Sequence, residues 1–225
     1  MDGLILIGTV HLDPGGFDQL LGLLKELKPE TVTVDVSNYA LEFRSTMGRE
    51  FIGRLEHFRR KDGSLPEALE AVARQLEVPS EWRAAQEYAD RSGARVVAVG
   101  DDGWSRKLLT RLSRELMVTD NLVTLATREE PALSVLVERE WQRARKDHLK
   151  EPVAGSDAAA RMEAMDKKLA RKIKKHAAQE PTVHVGGWEH LRGLSELLAE
   201  FGPEIRLACP PPSPSPAEGG GKSDS

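Results

Sequence analysis

The chain opens on Leu4–Ile7, a run that is apolar at every position and stops at Gly8. An unbroken apolar run of this kind predicts a parallel strand buried on both faces. Asp13-Pro14-Gly15-Gly16 then turns the chain into a segment where Phe17, Leu20, Leu21, Leu24 and Leu27 recur at helical spacing, until Lys28-Pro29 bars continuation. The β-branched run Thr31–Val36 follows at once. Strand, helix and strand with short connections compose a βαβ unit, whose right-handed crossover makes its two strands parallel.

The pattern next becomes helical for long stretches. Ser64-Leu65-Pro66-Glu67 reads as a capping box ahead of Leu69, Val72 and Leu76. A second helix start, Pro79-Ser80-Glu81, precedes Trp82, Ala85, Tyr88 and Ala89. Arg95–Val99 is the third predicted strand, closed by Gly100-Asp101-Asp102-Gly103, where the aspartates suit a helix cap. More helix follows, with a polar interruption near Glu151–Asp157, before the fourth strand at Thr182–Val185. A helix carrying Leu191, Leu194, Leu197, Leu198 and Phe201 on one face ends at Gly202-Pro203, and Ile205–Cys209 is the last strand. The expected fold is α/β: a mostly parallel central sheet with flanking helices and two long helical insertions. One domain spans 1–209, with the insertions at about 38–92 and 104–178. Residues 210–225, rich in Pro, Ser and Gly, cannot bury a core and are expected to be disordered.

Composition narrows the class. The 225 residues are 40% hydrophobic, yet no stretch nears the ~18 uninterrupted apolar residues of a spanning helix. A single cysteine, Cys209, excludes an internal disulfide framework and any cysteine-cluster metal site. The N-terminus lacks the basic region and long apolar core of a secretory signal, so a cytoplasmic location is expected. The net charge of −4 conceals a basic block: residues 137–176 hold 12 Lys/Arg against 7 Asp/Glu.

In open parallel sheets ligands bind beyond the carboxyl ends of the strands, so the polar residues there are the candidates for chemistry. Strand one ends Gly8-Thr9-Val10-His11, and strand four is followed by Gly187-Trp188-Glu189-His190. Two histidines thus follow a strand at the same Gly-x-x-His spacing. Each glycine (Gly8 and Gly187) leaves the mouth of the cavity free of a side chain and lets the backbone turn. Asp35, inside the apolar run of strand two, would be costly there without a partner. Two imidazoles and a carboxylate suit a divalent metal (zinc, manganese or cobalt) with open positions. They equally suit a metal-free acid–base site acting on water.

The opening segment, LILIGTVHLDPGGFDQLLGLLKELKPETVTVDVS, resembles the start of the TraB family, relatives of the pheromone-shutdown proteins and the Tiki proteases. VHVGGWEHLRGL resembles the closing motif of that family, and MDKKLARKI is similar to its preceding helix. The resemblance covers roughly 1–45 and 160–200, about a third of the chain. It implies an α/β core with paired Gly-x-x-His motifs, in a superfamily that includes metal-dependent proteases, erythromycin-esterase-like enzymes and haem-binding ChaN-like proteins. His11 and His190 match the motif histidines, and Asp35 stands where the family has glutamate. Met165 occupies the place of a family arginine, with Arg161 one turn earlier.

The remaining candidates are secondary. Glu189 is placed to act as a base beside His190, or to favour a helix start. Arg44 and Arg161 are candidates for binding an anionic part of a substrate, and Trp188 for walling the cavity. His184, between valines in strand four, reads as core; Trp82, Trp104 and Trp141 fit apolar helix faces. In Met165–Lys175 the apolar positions 165, 169 and 173 make one packed stripe with a cationic outside, and no aromatic pattern supports base stacking. The leading expectation is a hydrolase, with or without a divalent metal, acting on a peptide, ester or amide. Its rivals are a non-catalytic haem or small-ligand binding protein, and an adaptor for nucleic acid or a partner protein working through the basic helix 161–176.

Overall fold

A computed structural model describes residues 3–150 and 157–209. Most of the polar interruption at 151–157 and the whole of 210–225 lie outside the described residues. The strands are β1 (Leu4–Thr9), β2 (Thr31–Val34), β3 (Arg95–Ala98), β4 (Thr182–Gly187) and β5 (Glu204–Leu207). They form one all-parallel sheet in the spatial order β3-β2-β4-β1-β5. β1 and β4 run two residues past their apolar cores because they pair through their glycines, Gly8 opposite Gly186 and Thr9 opposite Gly187.

After β1, α1 (Gly16–Leu27) buries Leu20, Leu21 and Leu24. Each fully buried leucine contributes roughly 1.5–3 kcal/mol. Lys28 closes the helix in a left-handed conformation (φ 50°), donating its backbone N–H to Leu24 O. The first insertion holds α2 (Asn38–Phe43), a π-helical turn at Arg44–Gly48, α3 (Arg49–Leu55), α4 (Glu67–Leu76) and α5 (Ser80–Ser92). The second holds α6 (Asp102–Arg111), α7 (Thr119–Thr127), α8 (Leu133–Asp147) and α9 (Asp157–Ala177); α10 (Leu191–Leu197) follows β4.

Alternation along the strands divides the core. Ile5, Ile7, Val32, Val34, Val183 and Val185 pack with α1, α5 and the first insertion. Leu4 and Leu6 join Trp141 of α8, Leu169 and Ile173 of α9, and Leu191 and Leu194 of α10. Both expected insertions are present, and the sheet is wholly parallel. Among the described residues no helix is long and apolar enough to cross a membrane.

Two local expectations are corrected. Ser64 does not cap α4: its hydroxyl donates to Asp62 Oδ1, and the helix begins after Pro66 with no side-chain cap. Trp104 is not on a packed face but 41% exposed at the start of α6. The Asp101 cap is present, its Oδ1 accepting from Trp104 N at 2.7 Å. Leu169 and Ile173 of the expected stripe are buried, and Met165 is half-buried. Lys168 pairs with Asp101 at 2.7 Å, and Lys172 donates to Gly100 O, so part of the cationic face is tied to the loop after β3.

Candidate active site

The strand order sets β2, β4 and β1 side by side, so Asp35, His190 and His11 issue from three adjacent carboxyl ends. The two histidines do not stand alone. His11 Nδ1 is 2.7 Å from Glu81 Oε1, and His190 Nδ1 is 2.5 Å from Asp166 Oδ1. Ionised carboxylates only accept, so both Nδ1 atoms carry the proton and both Nε2 atoms are left to work.

Glu81 lies in the first turn of α5, where the helix N-terminus favours negative charge. It is buried, and its oxygens accept from His11, from Thr9 Oγ1 at 2.9 Å and from Ser80 Oγ at 3.2 Å. Burial alone would raise its pKa; the His11 charge and these hydrogen bonds outweigh that and hold it at about 2. For His11, dense packing on its own would lower the pKa. The Glu81 carboxylate, aided by Asp35 and Glu189, raises it instead to about 9. Yet 54% of the His11 side chain still reaches water, so solvent screens part of that effect.

His190 follows the same logic with a different partner. Burial works to lower its pKa, but the Asp166 bond and the charges of Asp35 and Glu189 raise it. Asp166 comes from α9 and is buried against Gly193, where a Cβ would collide with Oδ2 and lie 2.9 Å from Cγ. The third group, Asp35, has Oδ2 3.8 Å from His190 Nε2. Burial raises the Asp35 pKa above the usual carboxylate range, and the two histidines only partly offset it.

Gly187 is the floor between the rings. A Cβ there would sit 2.8 Å from Glu189 Oε2, 3.1 Å from His11 Nε2 and 3.7 Å from His190 Cδ2. The glycine is therefore required by the convergence of these side chains, not just by the turn. Gly8 is equally constrained, since a Cβ would meet Leu191 Cδ1 at 2.5 Å. A cleft of about 460 Å³ opens beside His11, walled by Trp188, Glu189 and one side of α8. Two indole–carboxylate bonds fasten α8 over the motif loops: Trp141 Nε1 donates to Asp13 Oδ2 (2.7 Å), and Trp188 Nε1 donates to Glu140 Oε1 (2.9 Å). A larger cavity of about 760 Å³ lies near Lys28, Arg95 and Glu180, at the amino ends of the strands and away from the histidines.

His11, Asp35, Glu189 and His190 thus come together, with Trp188 as a wall. Arg44 does not line the cleft: its Nε donates to Gln75 O at the end of α4, where a cation suits the helix C-terminus, and it meets the site only through the charge of Glu81. Arg161 is exposed on α9 and does not line the cleft. His184 is buried in β4 as expected, with Nδ1 3.0 Å from Thr33 Oγ1 and Nε2 unpartnered among the described residues. Burial, reinforced by the charge of His190, pulls its pKa down to about 3, so it is neutral. As a metal centre the set is short. His190 Nε2 and Asp35 Oδ2 are spaced as two ligands of one ion, but among the described residues no three such groups gather. The two carboxylates that hold the histidines, Glu81 and Asp166, were not foreseen from sequence. The signal for Asp166 was an acid on the apolar stripe of a basic helix, at helical spacing from Leu169 and Ile173.

No family model, curated protein or solved structure matches the chain.

Proposed function

We propose that the chain is a hydrolase of the TraB/Tiki-like kind, cleaving a peptide, ester or amide at the carboxyl ends of the sheet strands. The observation that supports this reading is the pair of histidines, each held through Nδ1 by its own buried carboxylate and each beside Gly187, with Asp35 alongside. Such pairing fixes tautomer and ring orientation, so each Nε2 is aimed without further ordering.

The pKa directions assign the roles. At neutral pH His11 is an imidazolium, so Nε2–H is an acid and a donor to a developing oxyanion. Asp35, with its raised pKa, is a stronger base than an ordinary carboxylate. The 3.8 Å from His190 Nε2 to Asp35 Oδ2 exceeds a direct hydrogen bond and suits one water touching both. In the proposed reaction Asp35 takes a proton from that water as its oxygen bonds to the substrate carbonyl carbon. The Nε2–H of His11 hydrogen-bonds to the carbonyl oxygen, without giving up its proton, as negative charge builds there. The tetrahedral intermediate then expels its leaving group, which receives the His11 proton. Asp35 then releases its proton to solvent and the His11 imidazole takes one up, so both groups regain their starting states. His190, oriented by Asp166, positions the water.

The test is hydrolysis of chromogenic acyl esters and anilides by purified protein, in the presence of a chelator. Turnover should fall by roughly 100-fold or more in His11→Ala and in Asp35→Asn, the usual contribution of an acid or base. Absence of turnover in the wild type over both panels, or full activity in both variants, refutes the reading.

A divalent ion is the second reading of the same residues. It is favoured by the excess of carboxylates, since Glu81, Asp35, Asp166 and Glu189 surround two imidazoles. His190 and Asp35 would hold it as a two-residue set, and once bound it would supply Lewis acidity and a more acidic water. Stoichiometric metal in the wild type, lost in His190→Ala, supports this reading; activity that survives the chelator with no bound metal removes it.

A further inference from the structure

We propose that the cleft beside His11 takes a small apolar acyl compound bearing a free carboxylate, which Arg139 recognises; this names the substrate class of the hydrolase site and rests on that reading. Val10, Leu12, Leu136, Val137 and Trp188 line the cleft, so most of its wall is apolar. Its volume of about 460 Å³ lies within the range of small-molecule sites and admits one or two residues rather than a folded chain.

The charges on the wall are not equivalent. Glu140 is fully engaged, with Oε1 accepting from Trp188 Nε1 and Oε2 2.9 Å from Arg143 Nη1. Arg143 is held by that pair and by the face of Trp188, whose ring centre is 5.9 Å from its guanidinium carbon. Arg139, one turn earlier on α8, lines the same cleft and makes no ion pair or hydrogen bond among the described residues. Arg139 is exposed at the rim of the cleft, and its uncommitted guanidinium presents a planar fork that matches a carboxylate. Within the cleft the charge of Arg143 is met by Glu140 and that of His11 by Glu81, so among the described residues Arg139 is the cation left without a partner and Glu189 the carboxylate. An apolar body with one anionic group set against Arg139 and away from Glu189 fits that wall. Arg139 is a specificity residue here and takes no part in the proton transfers assigned to Asp35 and His11.

The experiment is calorimetric titration of the full chain with N-acetyl-leucine and with N-acetyl-leucinamide at low salt, in the wild type, Arg139→Ala and Arg139→Lys. The wild type should bind the acid roughly tenfold or more tightly than the amide, the size of one charge-assisted pair. Arg139→Ala should erase that preference while keeping the wild-type melting temperature, and Arg139→Lys should restore part of it. Equal binding of acid and amide by the wild type, binding of neither, or a preference that survives Arg139→Ala overturns the inference. Binding is read without turnover. A chain that binds the acid through Arg139 yet cleaves nothing sinks the hydrolase reading and keeps the ligand class. Turnover of neutral esters with no preference for the acid does the reverse.

Discussion

Glu81→Gln isolates the interaction on which the role of His11 depends. The substitution keeps the shape of the side chain and an oxygen for Thr9, but removes the charge 2.7 Å from His11 Nδ1. Without that charge, the burial that works to lower the His11 pKa is opposed only by Asp35 and Glu189, so the value falls from about 9 towards 6.5 or below. An unscreened pair would weaken proton binding by roughly 300-fold, but a half-exposed ring sets a floor nearer tenfold. Histidine titration by NMR, with His11→Ala to assign the signal, reads this directly. The same pair shapes stability. Glu81, depressed to about 2, contributes above its ordinary 4.5, and that contribution is lost as pH falls through about 2. His11, raised to about 9, contributes below 6.5, and that contribution is lost as pH rises through about 9. The difference in unfolding free energy between wild type and Glu81→Gln should therefore be greatest between about 4.5 and 6.5 and shrink on both sides. An unchanged His11 titration in the variant would refute the pairing and the role assigned from it.

The other predictions concern the groups that support the site. Gly193→Ala drives a Cβ into Asp166, so it should break the bond to His190, lower the His190 pKa and cost about 1.5–3 kcal/mol in denaturant unfolding. A wild-type His190 titration in that variant would show that Asp166 does not set it. Trp141→Phe removes the indole donor to Asp13 that fastens α8 to the loop after β1, and should cost about 2–4 kcal/mol through a lost charged hydrogen bond and a smaller ring. Hydrogen exchange should then rise in α8 before it rises in the sheet; uniform exchange would count against α8 as a separately fastened wall.

The sheet was legible because parallel strands buried on both faces leave unbroken apolar runs, and because Gly and Pro punctuate them. The histidines were legible because each sits at a fixed step beyond a strand. Glu81 and Asp166 were hidden for a topological reason: they reach the site from helical insertions, 70 and 24 residues from the histidines they hold. Nothing in the spacing of a helix start reports that its second residue is buried under a distant ring. Arg44 illustrates the converse, a cation near the right strand whose hydrogen bond goes to the end of a neighbouring helix. Ser64 shows that a capping sequence loses to a nearer partner when Asp62 is two residues away.

The central claim is that Asp35 and His11 act as base and acid in one hydrolysis, and the pH dependence of kcat/KM tests it most directly. The expected profile is a bell. Its acid limb should lie above the ordinary 3.8 of an aspartate, set by Asp35, and its alkaline limb near 9, set by His11 and shifted downward in Glu81→Gln. A profile without an alkaline limb, or one whose alkaline limb is unmoved by Glu81→Gln, would contradict it.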